Sequence, residues 1–528
     1  MARLKIVCLQ FATILPREFE FMKKDITKKI LKLSELEKKL SHLRYKNTIG
    51  LCHGVFDLIH AGHIDYFEEC TKLVDILIVS VTTDEYVNKG LNRPLMGIKD
   101  RLKNLSAVEY LDFVIESDFA SAVPIINIVK PDYYFKGKDY VKSLTDKSID
   151  TAGNLSNEIK AVEKYGGEIH FTKSLVKSSS KLINSLKNKS ELDKETELYL
   201  KKKLNHKNLA KMLEKLEGMK ITIIGELIVD EYIFTESLGK SGKHPLVAER
   251  ELSNKKFWGG IMPSILTINS FIGSKNLSVV SLGDESFLKD FRGNTFGVTI
   301  DSKYKVTRKV RFINQKTNTF LFEKYEMNDD YITSGLENKL TKKVLRNIKN
   351  SNMFLSLDFG HGLITPKIRN ILTRKSNYLA INVQKNAGNK GFSLISKYDS
   401  AQVVVLNGDE VELELKQKKV NKEEAAKIIH KNMKAKILAI TDGADGLIIT
   451  NGRKVVRVPA LQLNNITDRT GAGDSLFTLI SLFSLVTKDL IVLGYLGNIG
   501  AALSLNWFAN EKFVSKEDLI RAVTYDLK

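Results

Sequence analysis

Residues 48–72 read TIGLCHGVFDLIHAGHIDYFEECTK, and this stretch decides the fold of the first part of the chain. Thr48–Cys52 is an apolar run of β type, and Ala61–Lys72 repeats apolar residues at helical spacing. Glycines and histidines fill the turn between them. The pattern therefore predicts a strand, a tight turn and the start of a helix in immediate succession.

Strands and helices keep alternating downstream, which predicts a parallel sheet covered by helices. The predicted strands are Asp75–Val81, Asp112–Ile115, Tyr133–Phe135 and Glu168–Phe171, and the helices are Ile98–Val108, Ala120–Val129 and Asn157–Tyr165. Upstream, apolar residues recur at helical spacing over 19–46, which predicts an amphipathic helix.

A second alternation runs from Lys220 to the C-terminus and predicts a second α/β domain. Its strands are Lys220–Ile224, Met353–Leu357, Tyr378–Val383, Val403–Leu406, Ile437–Ile440 and Leu447–Thr450. Within it, Lys305–Met327 alternates charged and apolar residues and predicts a small antiparallel flap. We expect a helical extension at 1–46, a first domain at 47–186, a charged and solvated helical connector at 187–218, and a second domain at 219–528.

Composition excludes several classes of protein. The 528 residues are 43% hydrophobic, enough for cores, and the longest apolar stretch, Leu476–Thr487, is too short to cross a bilayer. The three cysteines lack C-x-x-C spacing, so neither disulfides nor structural zinc is expected, and without a signal peptide we expect a cytoplasmic protein. The net charge of +20 leaves nucleic-acid binding as a weak hypothesis, because the lysines are spread along the whole chain.

The turn after the first strand has the chemistry of an anion site. A helix N-terminus presents backbone N–H groups and a positive dipole. Gly54 and Gly62 let backbone approach a phosphate, and His60 and His63 share one face of the entering turn. Two imidazoles on one phosphate would stabilise the charge that develops during phosphoryl chemistry.

The pattern G-x-F-D-x-x-H-x-G-H resembles the nucleotidyltransferase superfamily that contains cytidylyltransferases and the adenylyltransferase domain of bifunctional heptose-phosphate enzymes. The resemblance covers about residues 45–186 and implies a small Rossmann-like domain that binds a nucleoside triphosphate and Mg²⁺. By the same resemblance His60 and His63 contact the triphosphate, Lys89 and Lys136 neutralise charge, and Ser178, Ser179 and Ser180 hold the β and γ phosphates. The remaining expected nucleotide contacts are Gly54, Phe56, Gly62 and Arg93. ATP and CTP both remain open as its substrate.

A second small-residue turn, Asp468–Ser475, feeds an apolar helical pattern near the C-terminus. Gly471, Ala472 and Gly473 can aim N–H groups at a transferring phosphate, and Asp474 can accept the proton of an attacking hydroxyl. Taken alone, this turn could also be an ordinary tight turn capped by an aspartate, an alternative that the residues favour less.

The motif D-x-x-G-A-G-D resembles the signature of carbohydrate kinases of the PfkB/ribokinase type, over about residues 219–528. It implies a ribokinase-like α/β domain with a small β lid, Asp474 as catalytic base, and ATP with Mg²⁺, and it leaves open a monovalent cation at the same site. The nucleotide and metal side would be Asn407, Glu410 (both serving Mg²⁺ indirectly), Thr441, Gly443, Gly471, Ala472 and Gly473. The sugar side would be Asp230, Gly259, Gly260 and Asp358. One position departs from the family pattern. The family's sugar-binding turn is G-G-x-x-N, but here it reads Gly259-Gly260-Ile261-Met262-Pro263-Ser264 and lacks the Asn.

The order of the two motifs is the reverse of that in the bifunctional heptose-phosphate enzymes, which the chain otherwise resembles. The resemblance implies a bifunctional enzyme of nucleotide-sugar synthesis that acts on sugar phosphates and nucleotides, with neither nucleic acid nor membrane as a partner, and a homodimer formed through the kinase lid. The alternative is an active nucleotidyltransferase joined to a kinase-like domain that binds sugar or nucleotide without turnover.

Overall fold

The computed structural model describes residues 25–87, 91, 93–137, 154–173, 192–291, 294–327, 330–389, 391–463 and 466–527. The chain divides into two compact units, Met1–Asn88 with Arg93–Leu186, and Lys89–Asn92 with Lys187–Lys528. We describe each unit by itself.

The first unit is a six-stranded parallel sheet covered by helices on both faces, in the order β1-β4-β3-β2-β5-β6. Its strands are β1 Ile30–Leu31, β2 Ile49–Gly54, β3 Ile76–Thr82, β4 Phe113–Ser117, β5 Tyr133–Lys136 and β6 Glu168–Phe171. Its helices are α1 Leu33–Leu43, α2 Ala61–Thr71, α3 Ile98–Ser106, α4 Val123–Val129 and α5 Asn154–Glu163.

Alternation along the central strands explains why both faces are covered. In β3, Ile76 and Ile78 pack in the core with α1, α4 and α5, whereas Leu77 and Val79 pack in the core with α2 and α3. A strand buried on both faces reads as a continuous apolar run, which is how β3 appears in the sequence.

The predicted N-terminal helix over 19–46 is wrong in its extent. Residues 1–24 lie outside the described part, and Ile26–Lys29 form a 3₁₀ turn. Ile30 and Leu31 then pair with β4 as an edge strand, and α1 begins only at Leu33. The apolar spacing that predicts a longer helix arises because Leu36 and Leu40 of α1 and the edge strand all contribute to burial.

The second unit is built on an eight-stranded sheet in the order β10-β7-β15-β16-β17-β18-β19-β20, parallel through β18 and antiparallel beyond it. These strands are β7 Ile221–Gly225, β10 Leu277–Val280, β15 Met353–Asp358, β16 Leu379–Val383, β17 Val403–Asn407, β18 Ile437–Thr441, β19 Leu447–Thr450 and β20 Val455–Val458. The helices of this unit are α6 Lys194–Lys203, α7 His206–Glu217, α8 Met262–Ile272, α9 Glu285–Asp290, α10 Ser334–Ile348, α11 Pro366–Lys375, α12 Gly408–Leu415, α13 Lys422–Met433, α14 Ala472–Ser484, α15 Leu490–Leu505 and α16 Lys516–Asp526. None of the described helices is long and apolar enough to cross a membrane.

A separate four-stranded sheet, β14-β13-β8-β9, contains the predicted flap. The flap is the hairpin β13 Thr307–Asn314 and β14 Thr319–Glu326, and β13 also pairs in parallel with the long strand β8 Leu227–Lys240. The partner of β8 is β9 Val247–Gly260, and a short pair, β11 Leu282–Gly283 with β12 Thr299–Ile300, completes the unit. Sequence reasoning missed β8 and β9, because most of β9 is exposed and charged.

The segment expected to be a solvated connector is helical, but it is not simply solvated. Leu200 of α6 and Leu209, Leu213 and Leu216 of α7 are buried in the core of the second unit. Lysines and glutamates cover only the outer faces of these helices. The high charge density therefore marks an amphipathic pair that packs on the second unit.

Candidate active sites

The turn between β2 and α2 builds the first site. Gly54 ends β2, and the Phe56 ring lies against it, so that a side-chain carbon added at Gly54 would be 3.2 Å from that ring. Phe56 itself adopts a left-handed backbone, with φ of 49°. His60 then caps α2 in an extended conformation, and Gly62 is buried in the first helical turn.

The two histidines of the motif stand together at this helix start. The ring centroids of His60 and His63 are 4.1 Å apart, and the backbone N–H of His63 donates to the carbonyl of His60 at 2.8 Å. Phe56 contacts His63 edge-on at 5.6 Å between centroids. The geometry brings both imidazoles to one helix N-terminus, and their contact with a triphosphate stays a prediction.

Arg93 is held by a carboxylate of the same turn. Its guanidinium lies 2.9 Å from a carboxylate oxygen of Asp57, and both side chains are buried. The other oxygen of Asp57 accepts the backbone N–H groups of Leu95 and Met96 at 2.7 and 3.0 Å. Asp57 thus fixes the 93–96 segment beside the turn, and the expected nucleotide contact of Arg93 remains a prediction.

Lys136 ends β5 and pairs with a glutamate that sequence reasoning missed. Its ammonium lies 2.8 Å from Glu158 of α5, and both side chains are buried. Nearby, His53 of β2 contacts Ser80 at 2.9 Å, and burial together with the charge of Lys136 lowers the pKa of His53 to about 3. His53 is therefore neutral at physiological pH, and Lys136 is a cation close enough to act on it.

Arg101 of α3 organises the site from within the core. It is 1% exposed, and one guanidinium nitrogen donates to the carbonyls of Val55 at 2.7 Å and Thr82 at 2.8 Å. These bonds tie the turn after β2 to the end of β3. A buried arginine is expected to satisfy backbone carbonyls in this way, but nothing in a sequence says which ones. Lys89, Ser178, Ser179 and Ser180 lie outside the described residues.

In the second unit, the predicted base stands at the start of α14. Gly471 precedes the helix with φ of 78°, a left-handed conformation that favours glycine, and Asp474 follows in the first turn. The side-chain amide of Gln384 donates to the carboxylate of Asp474. Burial, together with the nearby carboxylates of Glu410 and Asp230, raises the pKa of Asp474 to about 7, although Lys309 and Gln384 oppose the shift.

Asp474 faces a cavity of about 180 Å³ that collects most of the predicted nucleotide residues. Its lining includes Asn407, Glu410, Thr441, Gly471, Gly473 and Asp474. Ala472 is the first residue of α14, and Gly443 lies in the turn after β18 with φ of 56°. The cavity brings together segments that are up to ninety residues apart, as the bond between Gln384 and Asp474 illustrates.

Asn407 and Glu410 form a reciprocal cap at the start of α12. The Asn407 side chain accepts the Glu410 N–H at 2.8 Å, and the Glu410 carboxylate accepts the N–H groups of Asn407 at 2.8 Å and Lys385 at 3.0 Å. Burial raises the pKa of Glu410 to about 7. Because backbone donors occupy these oxygens, the pair suits Mg²⁺ held through water and nucleotide phosphates. Among the described residues no group of three or more His, Cys, Asp or Glu could hold a metal by itself.

Asp230 lies on β8, and cationic and amide groups hold it. Arg311 of β13 contacts its carboxylate at 2.6 Å, and Asn510 donates to it at 3.1 Å. A side-chain carbon at Gly259 would lie 2.2 Å from the same carboxylate, and one at Gly260 would lie 2.2 Å from the carbonyl of Glu226. Both glycines of the turn are therefore required for this close packing.

The position where the sugar-binding Asn is missing does not face the site. Pro263 and Ser264 are buried in α8, and the Ser264 hydroxyl lies 2.8 Å from the hydroxyl of Thr478 in α14. This contact joins α8 to α14 one turn beyond Asp474.

Lys309 of β13 is a cation that sequence reasoning missed. It is half-buried, burial lowers its pKa, and the carboxylates of Asp230 and Asp474 act in the opposite direction. Lys309 therefore lies close enough to both acids to interact with them electrostatically. Lys309 and Arg311 are two residues apart in β13, so their side chains lie on the same face of the strand.

Asp358 ends β15, and two neighbouring side chains bind its carboxylate. Lys397 lies 2.7 Å from its carboxylate, and the Tyr398 hydroxyl donates to it at 2.6 Å. Glu226 fixes the loop that follows β15. Its carboxylate accepts the backbone N–H groups of Phe359 and His361, both at 3.2 Å. The predicted contact of Asp358 with sugar stays a prediction.

Comparison with known proteins divides the chain in the same way as the structure. Residues 51–187 match the Cytidylyltransferase-like family, and residues 306–503 match the pfkB family of carbohydrate kinases. The chain joins a cytidylyltransferase-like domain to a pfkB-type kinase domain. The predicted α/β folds of both domains are thereby confirmed.

Curated relatives match the N-terminal part of the chain. "Bifunctional protein HldE" of Campylobacter fetus is 33% identical over 167 residues, which is 31% of this chain and 33% of the relative. The protein of the same name from Desulfatibacillum aliphaticivorans is 35% identical over 164 residues, 30% of this chain and 31% of the relative. The chain thus spans about a third of the length of these relatives.

Solved structures resemble the chain at lower sequence identity than these relatives do. The ribokinase of Thermotoga maritima is 15% identical with a TM-score of 0.45, covering 57% of this chain and 98% of that one. The phosphofructokinase-2 of Escherichia coli in complex with fructose-6-phosphate is 13% identical with a TM-score of 0.46, covering 58% and 99%.

Proposed function

We propose that the chain is a bifunctional transferase of nucleotide-sugar synthesis. The second unit would phosphorylate a sugar or sugar phosphate with ATP. The first unit would transfer a nucleotidyl group from ATP or CTP to a sugar 1-phosphate and release pyrophosphate. The observation that carries the proposal is Asp474, which stands behind a glycine turn at a helix start and faces the cavity that also holds Asn407 and Glu410.

The residues of the kinase cavity support in-line phosphoryl transfer. Asp474 would accept the proton of the acceptor hydroxyl, and the N–H groups that follow Gly471 would stabilise the charge on the transferring phosphoryl group. Mg²⁺ would supply charge neutralisation across the phosphates when bound, and Asn407 and Glu410 would hold its water shell. A monovalent cation is part of the same proposal, and a neighbour, the phosphofructokinase-2 of Escherichia coli, was solved in complex with potassium.

The first unit supports a reaction that needs no base from the protein. The attacking group is a phosphate oxygen, which is already ionised, so the site has only to orient it and stabilise the charge on the nucleotide. His60 and His63 stand together at the helix start at which that charge would lie, and Lys136 ends a strand of the same sheet. We also propose a homodimer through the lid, because Phe320 and Phe322 on one face of β14 are 58% and 55% exposed.

A product assay tests the proposal. The full chain is incubated with ATP or CTP and a panel of heptose and hexose phosphates, and products are identified by mass spectrometry. We expect ADP with a phosphorylated sugar from one reaction, and pyrophosphate with a nucleotide sugar from the other. Absence of both products from every pairing would contradict the proposal.

One observation favours a second candidate, in which the kinase-like unit binds ligand without turnover. Pro263 stands where the Gly-Gly turn would carry its Asn, and both Pro263 and the adjacent Ser264 are buried and do not line the cavity. ATP consumption that depends on a sugar and disappears in Asp474→Asn would exclude this candidate.

A further inference from the structure

The cavity that Asp474 faces has a positively charged residue in its wall. Among the described residues that line the cavity, Lys385 is the only base, and Glu410 and Asp474 are the acids, so the formal charge of the wall is −1. A nucleoside triphosphate carries several negative charges, and an acidic wall repels them unless a cation offsets the repulsion. The motifs that predict the kinase domain do not include Lys385.

Backbone contacts fix Lys385 at the edge of this cavity. It lies two residues beyond the end of β16, and its backbone N–H donates to the Glu410 carboxylate at 3.0 Å. The preceding residue, Gln384, donates to Asp474 through its side chain. Burial raises the pKa of Glu410, and the charge of Lys385 opposes that shift. The ammonium group therefore lies close enough to the cavity to act on one of its acids.

The ammonium group of Lys385 has an exposed partner. It lies 3.4 Å from a carboxylate oxygen of Asp409, and the two side chains are 43% and 76% exposed. Ion pairs this exposed contribute little to stability. The pair of Arg311 and Asp230 in the same unit is different, because its atoms are 2.6 Å apart and its side chains are 13% and 6% exposed. The contact with Asp409 is thus the one that a stronger anion can replace.

Asp409 remains stable when it loses the lysine. It lies in the first turn of α12, where the helix N-terminus stabilises a negative charge. Because its side chain is exposed, water can solvate the carboxylate, and no buried charge is left unpaired. The same carboxylate repels a phosphate beside it. Asp409 therefore competes with an incoming anion for Lys385.

We propose that the ammonium group of Lys385 leaves Asp409 and binds a phosphate oxygen of the nucleotide in this cavity. The inference rests on the proposed kinase function for the identity of the ligand. The two residues then act on nucleotide affinity in opposite directions, since the lysine raises it and the aspartate lowers it.

Hydrogen–deuterium exchange of the full chain, measured by mass spectrometry, tests the proposal. Peptides that contain Gly471 and Asp474 report on this cavity alone, which is necessary because we expect the first unit to bind a triphosphate as well. ATP with Mg²⁺ is titrated as one probe, and adenosine, which has no phosphate, as the other. The concentration that gives half of the full protection is the Kd of each probe.

We expect opposite effects from the two substitutions. Lys385→Met should weaken the Kd of ATP about tenfold, the order for a lost charge-assisted hydrogen bond, and leave that of adenosine unchanged. Lys385→Arg keeps the charge and should retain most of the affinity. Asp409→Asn removes the competing carboxylate and should tighten ATP binding up to about fivefold. Lys427→Met, at an exposed lysine of α13, is the matched control and should bind both probes normally.

The outcomes separate this contact from the proposed kinase function. An ATP Kd of Lys385→Met equal to that of Lys427→Met would overturn the proposal even if ADP is formed. Equal weakening of ATP and adenosine would overturn it too, because a phosphate contact affects ATP alone. Affinity for ATP that depends on Lys385 while no acceptor supports ADP formation would uphold the contact and contradict the kinase function. If Lys385→Met does not fold, the exposed substitution Asp409→Asn decides: tighter ATP binding supports the proposal, and an unchanged Kd overturns it.

Discussion

The two units use the same structural device, a small-residue turn at a helix start, but equip it with different side chains. The start of α2 carries His60 as its cap and His63 in its first turn, whereas the first turn of α14 carries Asp474. Both helix starts favour an anion through N–H groups and dipole. The difference follows the attacking group: a phosphate oxygen needs only charge stabilisation, whereas a sugar hydroxyl must also lose a proton.

The largest expected effect is a loss of kinase activity when Asp474, the acid at the start of α14, is replaced. Asp474→Asn keeps the size of the side chain but cannot accept a proton. We expect ADP formation to fall by about 10²–10⁴-fold, the range for a lost general base. A coupled ADP assay measures the loss, and pyrophosphate release by the same variant is its internal control and should not change. Equal kinase rates in the two proteins would remove Asp474 as the base.

The second effect concerns the histidine pair. His63→Ala removes one of two imidazoles that we expect on the triphosphate, and pyrophosphate release should fall by about 10²–10³-fold, as for a lost charge-stabilising donor. ADP formation should not change. His42→Ala, an exposed histidine of α1 in the same unit, is the matched control. A transfer rate equal to that of the control would show that the pair is structural.

The two sites also differ in how much of them the sequence discloses. Local motifs predicted the strand, turn and helix start of the first site and the turn and helix start of the second, because spacing within ten residues fixes which side chains share a helix start. Lys309, Glu158 and Gln384 were missed, because each reaches its site through tertiary pairing of distant segments. Strand β9 was missed for a related reason: an exposed, charged strand has no apolar alternation to detect.

The third prediction uses pH to distinguish the two reactions. Asp474 must be ionised to accept a proton, and its pKa is raised to about 7 by burial and by Glu410 and Asp230. Kinase activity should therefore be full above about pH 8 and fall about tenfold per pH unit well below 7. A pH–rate profile of kcat/KM measures this limb. A kinase profile that stays flat from pH 5 to pH 8, about three units, would contradict a base with this pKa.

The smallest effect tests whether the lid contributes charge to the site. Lys309 lowers the pKa of Asp474, so Lys309→Met should raise that pKa and move the acid limb of the kinase profile to higher pH. An interaction on the order of 1–2 kcal/mol would also lower kcat/KM at high pH about tenfold.

Lys305→Met is the matched control for that substitution, since Lys305 is an exposed lysine just before the same strand. The helix start of α14 carries one acid, Asp474, so a cation from the lid would offset its charge. A profile that falls in height but does not move along the pH axis would mean that Lys309 binds substrate without acting on Asp474. An unchanged profile would mean that the lid takes no electrostatic part in the reaction.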